Sequence, residues 1–408
     1  TRTRDYVIRR EFDLNEGDAF NEQMLARAKR RLEALGYFTS VKISTNPGSA
    51  PDRVVIVVDV EDQPTGSFGI GGGYAVGANG GPLLEASVEE KNFLGRGQYI
   101  RIAAGASTSG SQTYTFSFTE PYFLGERLAA GFDLFKSITT SSDYYDYGEE
   151  GVTLRVTAPI TEDLSTTLRY TYKQITYTGE SDWQDNLSAP YLNLINNGPW
   201  TQSSVSQTFS YNTLDDQNLP RDGFIAKVTQ EFAGLGGDSN YYKLSGKARY
   251  YHTLSDSQDI VGMVTVGAGY MTSTNGQDLN IFDQFMIGGT EIRGFQDQGI
   301  GPRTSFDNPL GGTKYCTASV ETSMPTPGMP QDLGFRSSVF VDAGTLYGND
   351  ANVDGDVLHD GSALRASAGI GLTWASPFGT INLSYAVPFL KQSYDQVENF
   401  RFGFGNQF

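Results

Sequence analysis

The chain has 408 residues, 48 of them glycine and 12% aromatic, with a formal net charge of -17; at a mean hydropathy of -0.35 this composition points to strands and turns. So acidic a chain is a poor partner for nucleic acid. No stretch approaches the roughly 18 apolar residues of a membrane helix, which excludes a helical membrane protein and leaves a β-barrel open, because barrel strands alternate and give a weak hydropathy signal.

The single cysteine, Cys316, cannot close an intrachain disulfide. His252 and His359 stand far apart without a second cysteine or a His-x-x-x-His spacing, so no zinc site is expected, nor any other metal or cofactor. The opening Thr1-Arg2-Thr3-Arg4 carries no leader and reads as the start of a mature fragment cut upstream.

In chain order, Tyr6-Val7-Ile8-Arg9-Arg10-Glu11-Phe12 reads as a strand. Residues 20 to 35 then place Phe20, Met24, Ala28, Leu32 and Leu35 at helical spacing, with Arg27, Arg30, Arg31 and Glu33 on the remaining surface and Gly36 as a stop signal. Strands at Val41-Lys42-Ile43 and Val54 to Val60 complete a small α+β module, residues 1–63, closed by Pro64-Thr65. Its 10 basic and 11 acidic side chains nearly balance, so the acid of the chain is concentrated beyond it.

From Gly66 onward the period is two. Tyr114, Phe116 and Phe118 alternate with Thr115, Ser117 and Thr119; Val152, Leu154 and Val156 with Thr153, Arg155 and Thr157; Leu168, Tyr170 and Tyr172 with Arg169, Thr171 and Lys173; and Leu364 to Trp374 with Arg365, Ser367, Gly369, Gly371 and Thr373. A soluble sandwich alternates too. About sixteen strands of roughly ten residues can be placed, however, and that length crosses a bilayer at a tilt, while an even antiparallel count is the rule for bacterial outer-membrane barrels.

If the module lies in the periplasm, every second connection should be a short turn and the others external loops. The short set is 93–97, 121–126, 159–163, 214–223, 255–259, 325–334 and 376–379; the opposite set includes 138–147, 179–200, 271–314 and 345–362. Loop 271–314 is unusually long, and such loops are mostly functional or disordered. Its Ile281, Phe282, Phe285, Met286, Ile287 and Phe295 are too apolar for disorder, so it should fold back into the barrel. Within it, Ile292-Arg293-Gly294-Phe295 then requires a buried acid for Arg293.

Strand parity supplies two candidates. Cys316, Ala318 and Val320 form an apolar face, turning Thr317, Ser319 and Glu321 to the lumen; Val339 and Val341 do the same for Arg336, Ser338, Phe340 and Asp342. Glu321 and Asp342 would be lumenal neighbours able to grip Arg293, with Gly294 allowing close backbone approach. The alternative, that each is an ordinary solvated lumen charge, stays open on parity alone.

The stretches Gly288-Gly289-Thr290-Glu291-Ile292-Arg293-Gly294-Phe295, Ile300-Gly301-Pro302-Arg303, Val320-Glu321, Pro325-Thr326-Pro327 and Val341-Asp342-Ala343-Gly344 closely resemble the BamA family of outer-membrane assembly factors, in the POTRA-plus-barrel superfamily. Ile292 stands where the family most often has Val. The resemblance covers the full length and implies a mainly β protein: one small α+β POTRA domain at 1–63, the last of several and periplasmic, then a sixteen-stranded antiparallel transmembrane β-barrel at 64–408. It implies that Arg293 anchors the loop to Glu321 and Asp342. It also implies a Gram-negative outer-membrane location, unfolded outer-membrane proteins as substrates, BamD-like accessory lipoproteins at the POTRA domain, and contact with lipid and lipopolysaccharide.

The barrel ends suggest a mechanism. The first strand carries Phe68, Gly69, Ile70, Gly71, Gly72 and Gly73, and the last carries Phe402, Gly403, Phe404, Gly405 and Phe408. Glycine weakens a strand, so a seam between two such edges is a lateral gate at which an incoming strand can pair. Close packing or barrel curvature explains the same glycines; the family resemblance tips the reading to the gate. Assembly would proceed without nucleotide. Gly69-Ile70-Gly71-Gly72-Gly73 is not followed by a helix or a Walker Lys-Ser/Thr, and no Gly-x-Ser-x-Gly elbow occurs, so the chain is not read as an enzyme. A two-partner secretion exporter or a TamA-like barrel shares the module and the loop; a passive porin needs neither.

Overall fold

The computed structural model describes residues 2–74, 82–107, 110–140, 144–180, 182–216, 219–330, 333–351, 353, 359–376 and 379–404. The N-terminal module begins with a helix, Asp5–Arg9, where alternation suggested a strand. Only Val7 of its five residues is buried, and Asp5 and Arg9 pair across one helical turn at i, i+4, a contact that a strand would not make. The second helix, Glu22–Ala34, is capped by the Asn21 side chain, which accepts from the backbone N–H groups of Gln23 and Met24. It buries Leu25, Ala28 and Leu32; Phe20, assigned to that face from spacing, precedes the helix and is exposed. Leu32 and Val7 pack with Tyr37, Phe38 and Val41 against the hairpin Phe38–Pro47 and Val54–Asp62.

Sixteen strands follow in one sheet, each antiparallel to the next in chain order. The first is Gly66–Tyr74 and the last Phe400–Phe404. Large apolar side chains such as Phe68, Leu84, Ile102, Leu134, Leu154, Val320, Val339, Val341 and Ile370 stand exposed on the outer face. The inner face is polar and cross-linked: Thr153 to Thr171 at 3.1 Å, Arg155 Nε to Asp133 at 3.0 Å and Lys173 to Glu149 at 2.9 Å. A surface apolar outside and polar inside suits lipid outside and an aqueous or protein-filled lumen inside.

The α+β module packs on the end of the sheet that carries the short turns. The Arg4 N–H donates to Gly95 O at 2.9 Å, Asn92 Nδ2 to Thr3 Oγ1 at 2.8 Å and Tyr122 OH to Glu11 Oε2 at 3.1 Å. Asp13 joins Arg31, 2.8 Å away, to Arg127 of the second turn at 2.6 Å. This is the end at which the sequence pattern expects the short periplasmic turns. At the other end, the expected loop 138–147 shrinks to a short connection, because Ile138, Thr139 and Thr140 continue the ladder with Gly148, Tyr147 and Asp146. The loop at 179–200 instead folds into helices Trp183–Asn186 and Ala189–Asn197, which alternation could not reveal.

Gly95 has φ +70°, and a Cβ there would collide with the Arg2 carbonyl. Gly95→Val should therefore undock the module at a cost of roughly 1–3 kcal/mol of backbone strain and steric conflict. The measurement is limited proteolysis around residues 63–66: faster cleavage is expected, with the heat-modifiable gel shift of the barrel retained.

The loop anchor and the barrel seam

The long connection runs from Ser273 to Lys314. It turns inward because its apolar residues have somewhere to go: Ile287, Ile292, Phe295 and Ile300 form a buried cluster with Leu346 of the wall. Ile292 and Phe295 are fully enclosed. Gly344 makes room for the former, since a Cβ there would sit 2.6 Å from Ile292 Cδ1 and 2.7 Å from Cys316 O. Gly294 has φ +98° and lies against Pro388, whose Cδ would be 3.1 Å from an added Cβ.

Arg293 meets both candidate acids. Its Nε and Nη2 donate to Asp342 Oδ2 and Oδ1 at 2.8 and 2.9 Å, and Nη1 donates to Glu321 Oε2 at 2.7 Å. The backbone N–H of Arg293 adds a bond to Asp342 Oδ2 at 3.0 Å. Two groups that sequence reading placed on the lumen face without a role also take part. Ser319 donates to Asp342 Oδ1 at 2.7 Å, and the Phe340 ring centroid lies 3.3 Å from the guanidinium carbon. Asp342 is 1% exposed. Burial opposes the charge on Arg293, but Asp342 and Glu321 outweigh it and raise its pKa above the ordinary arginine value. A bidentate carboxylate, a second acid and an aromatic face give a desolvated cation fixed in one orientation.

Arg303 stays within the loop, where its Nη1 donates to Asp307 O at 2.7 Å. The crown of the loop joins its neighbours: Ser188 donates to Asn308 Oδ1 at 3.0 Å, the Asp350 N–H donates to Gln284 Oε1 at 3.2 Å, and Ser239 donates to Asp283 Oδ1 at 3.0 Å. His252 sits by Asp222 at 3.0 Å, and His359 stacks on Tyr394 at 4.1 Å.

The seam is the second part of the site. The last strand pairs with Gly379–Leu390 from Ile381↔Phe404 to Tyr385↔Phe400, whereas the preceding ladder runs from Ala366↔Leu390 to Ser376↔Gly379. The first strand pairs with Pro82–Phe93 along its full length, including Phe68, Gly69, Ile70, Gly71, Gly72 and Gly73. First and last strands are spatial neighbours. Among the described residues no ladder joins them. Gly405 and Phe408 lie outside the described residues. Arg401 and Gly403 are buried, while Phe400 is exposed on the outer face.

Fold, lipid-facing exterior and inward-folded anchored loop together define an outer-membrane β-barrel of the POTRA-bearing kind. The chain belongs to the Omp85 superfamily: the model of the Omp85 superfamily domain matches residues 92–408, and a POTRA model, described as a surface antigen variable number repeat, matches residues 1–63. It is 29% identical over 413 residues to the outer membrane protein assembly factor BamA of Neorickettsia risticii, covering 100% of this chain and 54% of that protein. The corresponding protein of Neisseria meningitidis is 26% identical, with 100% and 55% covered. The crystal structure of Haemophilus ducreyi BamA lacking POTRA domains 1–3 superposes with a TM-score of 0.80 at 26% identity, covering 98% of this chain and 81% of that one. The chain thus spans about half the length of the curated relatives it matches. The barrel lies in the outer membrane with the POTRA domain in the periplasm.

Arg293→Ala leaves Asp342 buried with only Ser319 and its backbone partner, and losing one member of such a pair costs about 3–5 kcal/mol. Proteolysis within 274–313 should accelerate sharply, and Arg293→Lys should restore only part of the protection, having lost the planar fork. A second outcome depends on pH. Burial pushes the Asp283 carboxyl from 3.8 up to about 6, despite bonds from Ser239 and Asn280 and the proximity of Lys243 and Lys173. With the folded pKa raised, its contribution to loop stability is full below about pH 4 and lost as pH rises through about 6. Amide exchange of residues 281–285 should show that slope, and Asp283→Asn should flatten it.

Proposed function

We propose that this chain is the membrane end of an outer-membrane protein assembly factor, which folds and inserts β-barrel clients at the seam between Gly66–Tyr74 and Phe400–Phe404. One observation carries the reading: within the described residues, the two edge strands lie side by side without a ladder between them. Edge N–H and C=O groups in that condition template a further strand. The glycines of both edges, Gly69, Gly71, Gly72, Gly73 and Gly403, keep side-chain packing across the seam small.

The inward-folded loop supports the lateral route. Its segment 287–300 is anchored to the inner wall, and its crown ties to neighbouring external loops through Asn308, Gln284 and Asp283. A client routed through the lumen has to pass this anchored segment, whereas one entering at the seam need not. The clients are unfolded outer-membrane proteins. The POTRA domain serves as their periplasmic docking point and that of accessory lipoproteins, and the external loops face lipopolysaccharide. The work is non-covalent and uses no nucleotide: closing the new barrel supplies the free energy, and no bond chemistry is assigned to His252 or His359.

The test is the folding of a urea-denatured outer-membrane barrel into liposomes that are empty, loaded with the full-length protein, or loaded with its Arg293→Ala variant, scored by heat-modifiable gel shift. The wild type should accelerate folding at least tenfold over empty liposomes, and the variant should lose most of that gain. Equal rates in empty and wild-type liposomes would overturn the reading.

A further inference from the structure

The anchored loop does not end its contacts at Arg293. Just past the anchor, Gly294 and Phe295 pair with Glu398 and Val397 of the connection that leads into the last strand. The ribbon continues: the Gln296 N–H donates to Gln396 O at 3.0 Å, and the Gln396 N–H donates to Gly299 O at 2.9 Å. Asp297 then reaches the last strand itself. Arg401 Nη2 donates to Asp297 Oδ1 at 2.8 Å and to Glu398 Oε2 at 3.0 Å, and the Arg401 and Asp297 side chains are 8% and 6% exposed. Gly289 of the loop is the seat for this guanidinium, which an added Cβ would strike. The same connection is fixed from its other end by Asp395, whose two oxygens take Arg365 Nε and Nη2 at 3.0 Å each in a fully buried pair.

We infer that Asp297 and Arg401 form a latch, through which the anchored loop holds the last strand against the inner wall and sets how readily the seam opens to an incoming strand. The inference rests on the seam being the working edge. The last strand has a ladder on one side only among the described residues, so its position depends on what grips it from within. Arg401 is in the strand and Asp297 is in the loop, 104 residues away. The loop is itself fixed by Arg293 to Asp342 and Glu321, on strands Phe335–Tyr347 and Lys314–Pro325. The last strand cannot swing outward without breaking a desolvated ion pair or dragging the loop with it. Asp297 and Arg401 are therefore positioning residues. Neither needs to touch a client.

The experiment uses the full-length protein in lipid nanodiscs and liposomes, with Asp297→Asn, which leaves Glu398 to partner Arg401, and Arg401→Gln, which removes the buried charge instead. Heat-modifiable mobility establishes that each variant is folded. Hydrogen exchange without client should rise roughly tenfold or more at residues 400–404 in both variants, while residues 314–325 and 335–347 stay at wild-type protection. Insertion rates in the liposome assay should change in the same two variants. Unchanged exchange at 400–404 in both variants overturns the latch, even where the wild type inserts clients normally. Faster exchange combined with no wild-type insertion leaves the latch standing and overturns the assembly reading.

Discussion

A guanidinium placed inside a barrel must recover in hydrogen bonds what it loses in hydration, and Arg293 recovers it from one fixed pair of strands. Asp342 commits both oxygens to the Arg293 side chain and accepts the Arg293 backbone N–H as well. Because an unpaired buried charge is far more costly than a paired one, the loop cannot slide by even one residue along the wall. The rest of the loop inherits that register. Ile292 enters the space left by Gly344, and Phe295 closes the apolar cluster on Leu346. Gly294 turns the chain toward the final strands.

From that fixed point the loop crosses the inner wall to the seam. Gly294 lies against Ala386 and Pro388, the next residues pair with the connection before the last strand, and Asp297 meets Arg401. A stiff wall segment and a weakly paired edge thus share one intervening element. Under the inferred latch, the contacts from anchor to edge run through the loop and not only through the sheet. Such coupling needs a contiguous set of contacts with two arrangements. The ribbon of Gly294, Phe295, Gln296 and Gly299 with residues 396–398 supplies the contacts.

Much of this was legible in the sequence, because a sheet with different solvents on its two faces writes a period of two into every strand. The same parity placed Glu321 and Asp342 in the lumen near enough for Arg293. What parity cannot carry is long-range pairing within irregular segments. Asp297 sits in a loop with no period at all, and Arg401 lies in a strand of five residues, so nothing local joins them. The buried pair Arg365 and Asp395 escaped for the same reason, although Arg365 was placed on the polar face of its strand. The first helix was misread because its five residues are too short for a helical period to outcompete an apparent alternation. Its spacing signal, Asp5 with Arg9, was present but brief.

Among the described residues an ion pair, and no hydrogen-bonded ladder, holds the last strand at the seam, which bears on the proposed entry of strands there. A ladder between first and last strands would hold the barrel shut by occupying the very N–H and C=O groups an incoming strand needs, and each bond would have to be exchanged in turn. A side-chain pair on the inner face holds the strand in place and leaves its backbone edge unoccupied. It is also nearly all-or-none, because a desolvated arginine and aspartate lose most of their attraction once water enters between them. Arg401 points to the lumen while Phe400 points to lipid, so the grip and the edge occupy different directions around one short strand. Glycine at 403 keeps that strand thin on its inner face, so Arg401 is the one long side chain through which the loop can hold it within the described residues.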